Sequence, residues 1–128
     1  MSLTTPIAYF LDTSALVPRY LRGASGYIWV NEICAPDRGN VLGIAEITEV
    51  ELVATLHQLT RGRVIRSKGR DIALASFWDQ VRQNSYKVVS ITSALIAQAI
   101  TLCARHSLEG YDAVQLACWP PQALKASQ

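Results

Sequence analysis

Apolar residues along the chain follow two different periods. Ile7 to Leu11 (Ile-Ala-Tyr-Phe-Leu) is apolar on both faces and stops at Asp12, which predicts a short strand buried on both sides. Val41 to Ala45 reads the same way, and Lys87 to Ile91 is β-branched and strand-like. Helical patterns stand between them. Ala15 to Leu21 predicts a short helix in which Pro18 is tolerated only near the first turn. Ser25 is placed to cap a second helix running to Cys34, with Ile28, Trp29 and Ile33 on its apolar side. Residues 35–40, Ala-Pro-Asp-Arg-Gly-Asn, are turn chemistry. Ile47 to Leu59 holds Leu52, Leu56 and Leu59 in helical register, with Gly62 beyond its end. Further helices are predicted over Asp71 to Gln83 (with Ile72, Ala75, Phe77 and Trp78), over Ser93 to His106, and over Asp112 to Trp119. Strand and helices alternate three times, which predicts an α/β fold with a central parallel sheet covered on both faces. Pro120-Pro121 stops the last helix, and only Ala123 and Leu124 are apolar beyond it. The expectation is a fold without a last strand, as if truncated at its C-terminus.

Composition narrows the class. The chain has 128 residues and a mass of 14.1 kDa, one domain over 1–128. With 50% hydrophobic and 17% charged residues and a mean hydropathy of +0.17, it can bury a core and is not a disordered chain. No apolar run approaches the roughly 20 residues of a membrane span, and the N-terminus lacks the basic start of a signal peptide. Cys34, Cys103 and Cys118 are odd in number and widely spaced, matching neither a disulfide framework nor a zinc ribbon. They read as buried thiols in a reducing compartment, so a cytoplasmic protein without a membrane partner is expected. Net charge is only +2.

Three carboxylates stand where an acidic residue is expensive. Asp12 follows the first strand at its carboxyl end, where open α/β sheets place a ligand crevice; it could equally cap the following helix. Glu51 lies inside an apolar helical run, sharing a face with Ile47 and Ala54, while Glu46 and Glu49 fit an acidic first turn. Spacing alone does not separate Glu49 from Glu51. Asp112 opens an apolar helix just after Gly110, either as a cap or first-turn charge or as a functional group. Parallel topology can bring all three to one crevice, where crowded carboxylates must protonate or share a cation. An oxygen-only set suits Mg²⁺ or Mn²⁺ rather than zinc, and such ions act on phosphates.

Tyr9-Phe-Leu-Asp-Thr-Ser-Ala-Leu-Val17, Ile47-Thr-Glu-Val-Glu-Leu52 and Gly110-Tyr-Asp-Ala-Val-Gln-Leu-Ala117 occur in that order. Together they resemble the PIN-domain family, and within it the VapC-like toxins of type II toxin–antitoxin pairs. The resemblance implies a three-layer α/β/α fold and a metal-dependent endoribonuclease using Mg²⁺ or Mn²⁺. It also implies an RNA substrate, a cognate antitoxin protein and a homodimer. Carried over by position, Asp12, Glu51 and Asp112 match the family's acids and metal ligands, and the match selects Glu51 over Glu49. Ser14 matches the polar residue two after the first acid, which the resemblance implies orients that carboxylate or a metal-bound water. The implied reaction is in-line attack of activated water on phosphorus, leaving 5′-phosphate and 3′-hydroxyl ends. The family usually supplies a fourth acid near its C-terminus, whereas no Asp or Glu follows Asp112 here. That departure opens an alternative: a catalytically impaired PIN-fold binding module.

The remaining features each have a plain structural reading beside a functional one. Arg61, Arg63, Arg66, Lys68 and Arg70 fall within residues 61–70, either as a solvated inter-helix loop or as a phosphate-contacting patch. Arg19 and Arg22 are open to the same two readings. His57 and His106 lack a third ligand and read as ordinary histidines; Trp29 and Trp78 read as packing, and Trp119 as packing or a partner surface. A haloacid-dehalogenase-type phosphatase would need an Asp where Ser14 stands, and a dinucleotide site would need glycine within residues 11–18; neither is present.

Overall fold

The computed structural model describes residues 5–107 and 109–118, and of residues 110–113 the backbone only. The expectations for the first residues, for Trp119 and for the Pro-Pro stop lie outside the described residues. Three parallel strands, β1 (Ala8–Phe10), β2 (Val41–Ala45) and β3 (Lys87–Val89), form a sheet in the order β1-β2-β3. Tyr9 pairs with Leu42, and Ile44 with Val88. Gly43, central in β2, gives way to the Phe10 ring: a Cβ there would lie 3.2 Å from Phe10 Cδ2.

Side chains alternate between the two faces of a strand, and here they feed two separate cores. Tyr9, Leu11, Leu42, Ile44 and Val88 belong to the larger one, together with Leu16, Val30, Ile33, Leu52, Leu56 and Phe77. Phe10, Ala45 and Val89 belong to a smaller one with Leu95, Val114 and Cys118. The first is roofed by α1 (Thr13–Leu16), α2 (Tyr27–Cys34), α3 (Glu46–Arg61) and α4 (Ser67–Arg82). The second is roofed by α5 (Ser93–His106) and α6 (Gly110–Ala117), completing an α/β/α sandwich. Among the described residues no helix is long and apolar enough to cross a membrane.

The structure departs from the sequence expectations in several places. The first helix is split: α1 ends at Leu16 and a 3-10 turn, Val17–Tyr20, follows because Pro18 lacks the amide a continuing helix needs. The second helix is not capped by Ser25. The turn before it needs a left-handed residue, which Gly26 supplies at φ 89°, so α2 starts at Tyr27. Its inward face is Val30, Ile33 and Cys34, leaving Ile28 (72%) and Trp29 (54%) exposed rather than packed. The helix expected from Asp71 begins at Ser67, taking Lys68 and Arg70 out of the loop. It packs through Ala73 and Phe77 and exposes Ile72 and Ala75. Cys34 and Cys118 are buried and Cys103 half-buried.

Candidate active site

β1 runs into Asp12, whose extended backbone (φ −79°, ψ 176°) ends the strand and starts α1. Asp12 Oδ1 accepts the Ala15 N–H at 2.9 Å and the Ser14 hydroxyl at 2.8 Å. The capping role and the crevice position therefore coincide in one residue. Ser14 orients the carboxylate through Oδ1, and Oδ2 has no hydrogen-bond partner among the described residues.

α3 passes alongside α1 and brings its own acid to the same place. A cavity of about 480 Å³ is lined by Asp12, Thr13, Ser14, Val17, Pro18, Glu51 and Thr55. Glu51 is half-buried there, held by a helix whose Leu52 and Leu56 are fully buried. Glu49 is not among the lining residues; it sits half-buried near Glu46, and burial first and that neighbour second push its carboxyl pKa up. Thr55, one turn beyond Glu51, was not singled out from the sequence, although the i, i+4 spacing could have found it.

Asp112 is the third residue of α6, so it is a first-turn residue and not the N-cap, which is Glu109. Its side chain lies outside the described residues. α6 is tied to α3 by a buried hydrogen bond: Gln115 Nε2 donates to Thr48 Oγ1 at 3.1 Å. Neither residue stood out in the sequence, because an isolated neutral polar residue carries no chemical signature.

The polar side chains that line the cavity all carry oxygen: the carboxylates of Asp12 and Glu51 and the hydroxyls of Thr13, Ser14 and Thr55. That donor set fits a hard divalent cation, which prefers carboxylate and hydroxyl or water oxygens. Among the described residues no cluster of three or more His, Cys, Asp or Glu side chains forms; Asp12 and Glu51 are the two acids of the cavity.

Arg19 is withdrawn from this surface. Its guanidinium donates to the Tyr86 hydroxyl and lies over the rings of Tyr86 (5.4 Å) and Tyr20 (5.8 Å). Tyr20 in turn bonds Gln80 and Tyr86, and Phe77 packs edge-on to Tyr20 at 5.8 Å. Arg19 is thus a packing cation that pins the 3-10 turn behind the cavity wall of Val17 and Pro18. Arg70 pairs with Asp71 at 3.1 Å, while Arg61, Arg63, Arg66 and Lys68 are exposed.

The PIN domain family model matches residues 9–119, nearly the whole chain and, Ala8 apart, all of the elements above. No curated protein matches the chain.

Proposed function

The chain belongs to the PIN-domain family, a nuclease-type fold, and on that premise we propose that it is a metal-dependent endoribonuclease whose centre is Asp12, Glu51 and Asp112 with Ser14 in support. The single observation that carries this reading is the shared cavity of Asp12, Ser14 and Glu51, residues from two elements. Asp12 and Glu51 would hold Mg²⁺ or Mn²⁺, joined by Asp112 from α6. A bound ion supplies Lewis acidity, making water a better nucleophile and offsetting charge on the phosphodiester. The chain's own residues do the rest. Ser14 and the Ala15 amide fix Asp12 through one oxygen, and the other would be available to a cation. Val17 and Pro18 supply an apolar part of the cavity lining, and Thr55 lines it one turn beyond Glu51.

The order of the three acid-bearing segments supports a toxin of the VapC-like kind, and the three unpaired cysteines suit a reducing cytoplasm. Exposed Ile28 and Trp29 on α2, with Val64 and Ile72 around the start of α4, give an antitoxin apolar surface to cover. Ile96 and Ile100 on α5 and Leu116 on α6 do the same for a homodimer.

Cleavage of a mixed RNA substrate with Mn²⁺ or Mg²⁺, against EDTA, tests the reading. The wild type should cut only with metal, and Asp12→Asn and Glu51→Gln should not cut. An Asp12→Asn variant that cuts at the wild-type rate would overturn the assignment. Metal-dependent RNA binding without turnover would instead favour the binding module.

A further inference from the structure

Thr48 and Gln115 are the polar residues buried in the described core, 0% and 7% exposed, and they bond each other at 3.1 Å. Burying a neutral polar pair where apolar side chains would pack adds little net stability, since each partner gives up its water. What such a pair supplies is direction: apolar contacts let two helices slide and rotate, whereas a hydrogen bond fixes one register. The position of the pair gives that register a use. Thr48 stands one turn before Glu51 on α3, and position 112 stands one turn before Gln115 on α6. The bond spans 67 residues of sequence and joins the two helices that carry the second and third acids. Cys118, one further turn along α6, is fully buried against Ala45 and Leu95, so α6 is seated at both Gln115 and Cys118.

Resting on the metal-centre reading above, we propose that the Thr48–Gln115 hydrogen bond is the strut that sets the spacing between the α3 and α6 acids. Thr48 and Gln115 are positioning residues, acting on the ion through Glu51 and Asp112. A merely structural role would make the pair matter for folding and leave the metal affinity of the folded chain unchanged.

Calorimetric titration of Mn²⁺ into the folded chain, with thermal melting of the metal-free protein alongside, separates the two. Thr48→Val/Gln115→Leu removes both partners of this bond, and its metal-free melting separates any loss of stability from a loss of metal affinity. Its Mn²⁺ affinity should fall by about 10-fold, the usual cost of losing an outer-shell partner. Thr48→Ser, which keeps the hydroxyl, should bind as wild type, and Thr48→Val should weaken binding as the double variant does. Should the double variant fail to fold, the Thr48→Val and Thr48→Ser pair carries the same comparison. Wild-type affinity in Thr48→Val or in the double variant overturns the strut and leaves the metal centre standing. No Mn²⁺ binding by the wild type, or equal binding by Asp12→Asn, overturns both.

Discussion

The Oδ1 atom of Asp12 accepts both the Ala15 N–H and the Ser14 hydroxyl, so the carboxylate is oriented before any ligand arrives. The two roles separate by mutation. Asp12→Asn retains an oxygen able to cap α1 and should keep the melting temperature close to wild type while losing metal-dependent stabilisation. Asp12→Ala loses the cap as well and should be destabilised by about 1 kcal/mol. Urea unfolding of the metal-free variants reads the difference. Ser14→Ala leaves the acid and its backbone cap but frees its rotation, and should weaken RNA cleavage without abolishing it, as kcat on one substrate would show. Asp12 was legible in the pattern because it ends an apolar strand at a place the topology makes special, whereas Ser14, and the choice of Glu51 over Glu49, came only with the family resemblance. Thr48 and Gln115 were not legible, since their pairing depends on how two distant helices dock.

At the scale of elements, β2 was predicted to the residue, because a short apolar run between turn residues leaves little freedom in its bounds. The face of α2 was not: Ile28, Trp29, Val30 and Ile33 surround the helix, and packing alone decides which are covered. The start of α4 was hidden by a run of basic residues containing Gly69, an unpromising helical signal that tertiary contacts override. Arg19, Tyr20, Gln80 and Tyr86 clamp the 3-10 turn to α4 and to the residue before β3. Burial raises the pKa of both tyrosines by more than Arg19 lowers it. With the folded value above the unfolded one, the folded chain keeps its phenol protons where the unfolded chain releases them. This stability is fully present below the ordinary tyrosine pKa, about 10, and is lost as pH rises above it. Tyr20 and Tyr86 should therefore ionise together with the loss of far-ultraviolet circular dichroism, a coincidence that a spectroscopic alkaline titration can check. Phenolate formation by both in a still-folded chain would contradict it.

At the scale of the molecule, and among the described residues, the sheet divides the interior unequally. The α1–α4 side holds Leu16, Val30, Ile44, Leu52, Leu56 and Phe77, all fully buried, whereas the α5–α6 side rests on Ala45, Leu95 and Cys118. A thinner core opens at lower free energy. Native-state alkylation should therefore label the half-buried Cys103 first, Cys118 next through opening of the α5–α6 layer, and Cys34 only with global unfolding. Burial raises the thiol pKa of both Cys34 and Cys118, so neither reacts without opening. Peptide-resolved mass spectrometry over a labelling time course gives the order, and simultaneous labelling of Cys34 and Cys118 would show that the two layers open as one.

All three strands run the same way, so their carboxyl ends face the Asp12 crevice and their amino ends lie at the far edge, at Ile7, Val41 and Lys87. That polarity gives the molecule a working end and a handling end. The exposed Asn84–Ser85 turn, left-handed at Asn84 (φ 59°), enters β3 from the handling end. A fluorescent or affinity peptide spliced there would tether the chain to a surface with its crevice facing outward.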